Sequence, residues 1–297
     1  MAAGAAACLM VFTIGMVLTA RTVAAQESKT VRLRTLSPGD ILYVLIGGGG
    51  NTLALMRDDG VVVIDTKQAG WGTAIRDAIE AAIDRPVTTI INSHAHADHA
   101  GGNKEFPGKV EIVAHANAAT AVGATRTVTD KLTLLGGPDQ IDLHYFGRGH
   151  TNGDLVVVFP QKRLAYLGDL FPAKSAPIVD AAAGGSVIAL ADTLRRVATE
   201  IKGVMRVVTG HAEGLADARD PAATSVDIST PRTMRWSDVE EYADFTRDFV
   251  EAVRKAKSAG RTAAEAAASL SLPDRYRDYD MRNALAAVEA IYKEESR

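Results

Sequence analysis

The sequence predicts an α/β protein in which two sheets pack together with helices outside. Two observations carry this expectation. Short apolar or alternating runs bounded by Gly, Pro and Asp recur from Val31 to His211, and helical patterns interrupt them in two successive series. The chain has 297 residues, of which 47% are hydrophobic, ample for a buried core. No short sequence repeat accompanies the two series, so the duplication rests on the order of elements alone.

From Val31 to Asp65 the runs "VRLRTL", "ILYVLI", "NTLALMR" and "VVVID" are separated by "SPGD", "GGGGN" and "DDG", which predicts an antiparallel meander. Gly47 to Gly50 are too flexible for a strand interior. They predict either a mobile surface turn or a loop whose backbone passes close to something bound. Ile75, Ile79 and Ile83 fall on one helical face, with Pro86 marking the stop. "VTTIIN" and "VEIVAH" read as strands and "ANAATAVGA" as a short helix. In the second series "IDLHYFGRGH", "LVVVFP" and "RLAYLGD" are strands, Val187 to Thr199 is helical, and "VMRVVTGH" is again a strand.

Beyond Pro231 the character changes. Ser237 and Glu240 have capping-box spacing before a helix carrying Tyr242, Phe245, Phe249 and Val253, which Gly260 ends. Thr262 and Glu265 repeat the device, and a last amphipathic stretch runs from Met281 to Tyr292. The organisation expected is a main domain over 31–230 and a C-terminal helical extension over 231–297, joined by "LADARDPAATSVDISTPRT".

A net charge of −3 gives no electrostatic case for nucleic acid or acidic lipid, so a partner must be argued from a site, as a small-molecule substrate. The uncharged run from Ala2 to Ala20 leads into "VAA" before Gln26. We read 1–25 as a signal peptide cleaved after Ala25, against the alternative of an uncleaved anchor of near-spanning length. The only cysteine, Cys8, lies inside this segment, so a mature chain would hold no thiol for a disulfide or a zinc site. The expectation is a periplasmic or secreted protein with no stable membrane association after cleavage.

Histidine is scarce, with seven in the chain, yet "INSHAHADHAGG" places three within six residues. His94 and His96 alternate around Ala95, so extended backbone points both to one side to hold a single ion. Asp98 and His99 follow where the chain turns, within reach of a second ion. Imidazole and carboxylate are zinc ligands, but four donors are too few for two metals. Three further donors stand at strand ends: His150 in "GRGHTNGD", His211 in "VVTGHAEG" and Asp169 in "LAYLGDLF". Gly147, Gly149 and Gly153 would let the backbone around His150 approach a site closely. His115 and His144 have no matching place and are read as structural.

Taken in order, His94, His96, Asp98, His99, His150, Asp169 and His211 resemble the metallo-β-lactamase superfamily pattern over roughly Ile41 to Glu213. The resemblance implies a four-layer αβ/βα sandwich with a two-metal site at one edge. It assigns His94, His96 and His150 to a first Zn2+, and Asp98, His99 and His211 to a second, with Asp169 bridging. The missing thiol points away from lactamases that use cysteine. The extra aspartate points towards thioesterases of the glyoxalase II type and lactonases. The implied reaction is attack on a carbonyl C–N, C–O or C–S bond by a metal-bridging hydroxide, which Asp98 orients. Lys174 or Ser175 in "FPAKSAP" is a candidate anchor for a substrate carboxylate, against the reading of Lys174 as a solvated loop residue. Tyr145 and Arg148 are candidates to face the cleft. An iron-dependent sulfur or persulfide dioxygenase of the same superfamily is the alternative.

Overall fold

Strand alternation divides the apolar residues between two faces, and both faces are buried. The structure is a computed structural model that describes residues 29, 31–35, 41–211 and 233–296. Segment 1–25 lies outside the described residues, as does nearly all of the joining loop.

The first sheet takes its seven strands in chain order: β1 (Arg32–Thr35), β2 (Leu42–Ile46), β3 (Thr52–Arg57), β4 (Gly60–Ile64), β5 (Val87–Ile91), β6 (Glu111–His115) and β7 (Arg126–Val128). β1 to β4 form the expected antiparallel meander, and β4 to β7 run parallel. The second sheet holds β8 (Lys131–Leu134), β9 (Ile141–His144), β10 (Val156–Phe159), β11 (Leu164–Tyr166), β12 (Arg206–Val208) and β13 (Met234–Arg235). β8 to β11 are antiparallel, β11 and β12 parallel, and β13 closes the edge.

On β3, Leu53 and Leu55 point into the space between the sheets, where Val62, Ile64 and Ile91 meet Leu143, Val157, Phe159 and Tyr166. Ala54 and Met56, one residue out of phase, face outward and pack on Ile75 and Ile79 of α1 (Gly72–Ala82). Ile83 follows the helix end and joins the same cluster from its margin. The second sheet repeats the arrangement: Val156, Val158, Ala165 and Val207 face outward onto α4 (Val187–Glu200) and α5 (Trp236–Ser258). The result is the helix, sheet, sheet, helix layering expected. Two single-turn helices, α2 (Ala97–Ala100) and α3 (Ala119–Val122), follow β5 and β6.

The C-terminal helices α5, α6 (Ala263–Ala268) and α7 (Ala284–Glu294) share one apolar cluster with α4 and the second sheet. Tyr242, Phe245, Phe249 and Val253 are all fully buried there. Thr262 and Glu265 make the expected reciprocal cap. The box expected at Ser237 and Glu240 is corrected. Arg235 is still paired in β13, so the helix begins at Trp236, and Asp238 accepts the Arg235 N–H at 2.8 Å. Strands β7 and β8, at the edges of different sheets, were not anticipated: both are short, with Arg126 and Lys131 exposed, and carry little apolar alternation. Among the described residues no helix is long and apolar enough to cross a membrane.

Candidate metal centre

Consecutive strand ends deliver the site to one edge of the sandwich. Asp65 follows β4, and Ser93 and His94 follow β5. Asp98 and His99 sit on α2, and His150 precedes β10. Asp169 lies in the turn after β11, and His211 follows β12. The edge is stitched between sheets: Leu155 N–H donates to the Ser93 carbonyl at 2.7 Å, and Asn51 N–H to the Gly210 carbonyl at 2.7 Å. Two glycines permit the approach. A Cβ on Gly50 would overlap the His99 ring, and one on Gly210 would overlap the Asp169 carboxylate.

The seven donors form two groups whose ligand atoms lie within 4.8 Å of one another: His94, His96, His150 and Asp169 in one, Asp98, His99 and His211 in the other. In the first, His150 Nε2 stands 2.8 Å from His96 Nδ1. In the second, His99 Nε2 is 3.4 Å from His211 Nε2, and Asp98 Oδ2 is 3.4 Å from the same nitrogen. Asp169 reaches both groups, with Oδ2 at 3.6 Å from His150 Nε2 and 3.3 Å from His211 Nε2, and Oδ1 at 3.4 Å from His99 Nε2.

The outward nitrogens fix the tautomers. His150 Nδ1–H donates to the Ile178 carbonyl at 2.8 Å and His96 Nε2–H to Asp180 at 3.0 Å. His99 Nδ1–H donates to Asp65 at 2.7 Å. Ser93 gives its hydroxyl proton to Asp65 at 2.6 Å, so its oxygen accepts from His94 Nδ1–H at 3.0 Å. His94, His96 and His150 therefore turn a bare nitrogen inward, and His99 turns inward the nitrogen whose proton an ion would displace. Two such lone pairs 2.8 Å apart repel, and His94 Nε2 is buried with no hydrogen-bond partner among the described residues. Both features fit a cation between the donors.

Electrostatics agree. Burial, reinforced by neighbouring His99, drives His94 well below its ordinary value and keeps it neutral. Burial also opposes charge on His99, but Asp65 and Asp169 outweigh it and raise this imidazole to about 10. Burial works against the Asp169 carboxylate, yet hydrogen bonds from His211 and His99 hold it well below the usual carboxylate range. The carboxylates thus draw positive charge to one spot, a demand a divalent ion meets more fully than a proton.

All seven donors expected from the sequence converge, and the rim residues do not behave as expected. Lys174 is corrected: its ammonium lies 2.8 Å from Asp238 and 3.1 Å from Glu241, ion-paired to α5 rather than free for a substrate carboxylate. Ser175 is buried and donates to the Ala176 carbonyl at 3.2 Å. Tyr145 stacks on His115 with ring centres 3.8 Å apart and donates to the Asn152 carbonyl at 3.1 Å. Arg148 pairs with Glu294 at 3.2 Å. Gly149 and Gly153 approach Leu170 and Ala118, packing neighbours rather than the centre.

Sequence reasoning missed Asp65, the acceptor for Ser93, His99 and the Tyr166 hydroxyl. It ends "VVVID" as Asp169 ends its own apolar strand, so the same signal marked it. Lys67 was also missed. It is fully buried, its ammonium donating to the carbonyls of Leu45 at 2.9 Å and Gly50 at 2.8 Å, which pins the glycine run against His99. Burial, partly opposed by Asp65, lowers Lys67 to about 7.

Comparison with known proteins agrees with this geometry. Residues 45–211 match the profile of the metallo-beta-lactamase superfamily. The chain is 31% identical over 141 residues to 2,4-dinitroanisole O-demethylase subunit alpha of a Nocardioides species, a match spanning 43% of either protein. It is 28% identical over 178 residues to metallo-beta-lactamase type 2 of Bacillus cereus, covering 55% of this chain and 67% of that enzyme. Among solved structures, a metallo-beta-lactamase from Pontibacter korlensis superposes with a TM-score of 0.59 at 16% identity, covering 74% of this chain and all of the other. A sec-alkylsulfatase from a Pseudomonas species superposes with a TM-score of 0.66 at 16% identity, covering 89% of this chain and 50% of the other. Fold, donor order and profile concur, and the chain belongs to the metallo-beta-lactamase superfamily.

Proposed function

We propose that this chain is a dinuclear zinc hydrolase that cleaves a carbonyl C–N, C–O or C–S bond in a β-lactam-, lactone- or thioester-like substrate. The observation that carries this reading is the pair of donor groups joined by Asp169, with imidazole lone pairs fixed inward from outside. His94, His96 and His150 would hold one ion, Asp98, His99 and His211 the other, and Asp169 both. Bound zinc would lower the pKa of water and polarise the carbonyl. Asp98 stands in the first turn of α2, and its side chain is 29% exposed, open to the solvent-facing side of the centre. It would take a proton from the attacking water as the C–O bond forms and return it to the departing N, O or S as that bond breaks. The exposed sides of His96 and His211 leave room for a small molecule.

We also propose export to the periplasm or beyond, supported by the composition of 1–25 and the absence of cysteine after Cys8. Metal analysis with a substrate panel tests the enzymatic reading: a β-lactam, a homoserine lactone, a glutathione thioester and a phosphodiester, each with and without chelator. About two zinc per chain and chelator-sensitive carbonyl hydrolysis are expected. One iron per chain with oxygen uptake on a persulfide would overturn it in favour of a dioxygenase.

A further inference from the structure

Granted the dinuclear centre proposed above, we infer that the C-terminal helices help to hold the metal by fixing the loop 172–186, which orients His96 and His150. Both outward hydrogen bonds on these rings come from that loop: the Ile178 carbonyl on His150 and the Asp180 carboxylate on His96. The loop is in turn tied to the C-terminal helices at each end. At its start Lys174 pairs with Asp238 and Glu241 of α5. There Asp280 also exchanges backbone hydrogen bonds with the loop, donating to the Lys174 carbonyl at 3.0 Å and accepting from Ala176 N–H at 2.8 Å. At its end Glu294 of α7 accepts from the Ser186 hydroxyl at 2.6 Å and pairs with Arg148 at 3.2 Å. Ser186 also caps α4 and donates its N–H to the Gly149 carbonyl, directly before His150.

The chain of contacts therefore runs from α5 and α7, through two ends of one loop, to two imidazoles of the first donor group. His99 is oriented by Asp65 and owes nothing to this loop among the contacts described. Glu294 and Lys174 are positioning residues, and the effect of removing them is selective: the first ion weakens while the second does not.

The test titrates cobalt or zinc into the full chain against a competing chelator, resolving two affinities, for wild type, Glu294→Ala, Glu294→Gln and the double variant Lys174→Ala/Glu294→Ala. Val253→Ala, a buried truncation in α5, serves as a control for general loosening. The double variant is expected to lose about tenfold affinity at one ion only, in the range found when partners of metal ligands are removed. Glu294→Gln, which still accepts from Ser186, should recover most of the Glu294→Ala loss. Unchanged affinities in the double variant, or an equal loss at both ions matched by Val253→Ala, would overturn the inference. A wild type that binds no second ion would instead overturn the dinuclear reading.

Discussion

The four imidazoles with defined outer partners are held in two different ways. His94 and His99 lead, through Ser93 or directly, to Asp65, whose side chain is 0% exposed between the sheets. His96 and His150 lead to a loop, where the Asp180 side chain is 38% exposed. On the core side, orienting a ligand and holding the fold together are one act, because Asp65 also satisfies Ser93 N–H and the Tyr166 hydroxyl. On the loop side they are separable, so metal affinity there is adjustable with little change in stability.

The largest expected effect tests the core side. Asp65→Ala leaves several buried donors unpaired and is expected to cost about 3 to 5 kcal/mol, with metal lost from both sites. Denaturant unfolding with metal analysis checks this, and a loss below about 1 kcal/mol would erase the distinction between the two sides.

Next in size is the pH dependence of metal binding. With no metal bound, His99 holds its proton up to about 10 rather than 6.5, and an ion must displace that proton. Apparent affinity at the proposed second site should therefore rise with pH by up to about tenfold per unit below 10. Chelator competition at several pH values measures it. Asp65→Asn should flatten the slope, since the loss of Asp65 charge removes the largest cause raising His99.

Asp180→Ala probes the loop side. It is expected to weaken the first ion about tenfold while changing stability by less than about 1 kcal/mol. A pronounced fall in Tm would show that the loop carries the fold as the core does.

The smallest effect concerns Tyr242, whose ring lies 4.7 Å from Phe171, two residues beyond Asp169, and whose buried hydroxyl has no partner among the described residues. Tyr242→Phe keeps the packing and removes an unsatisfied group, so stability should hold or rise by about 1 kcal/mol. A loss of metal affinity in this variant would mean that α5 acts on the centre through this hydroxyl as well as through the loop.

The donors were legible because scarce residue types stood at strand ends beside glycine, a pattern local in the chain. Their partners were legible only in part. Asp65 carried the strand-end signal but lacked a neighbouring histidine to draw attention to it. Asp180 sits among alanines and glycines, and only the folded loop brings it to His96. Lys174 shows the converse error: a lysine near a site reads as a substrate anchor until carboxylates some 64 and 67 positions onward, Asp238 and Glu241, claim it. The layers followed from alternation, whereas the edge strands β7 and β8 carry too few apolar residues to declare themselves.

The link between β7 and β8 is the single place among the described residues where the chain passes from one sheet to the other. The donors divide along the same line: His94, His96, Asp98 and His99 follow a strand of the first sheet, while His150, Asp169 and His211 flank strands of the second. An ion held by both sets is a rivet across the sandwich. Its donors meet only after the sheets have docked, so the ion acts late. Occupancy should slow unfolding and leave the folding rate nearly untouched, giving the enzyme kinetic persistence beyond what its equilibrium stability alone provides.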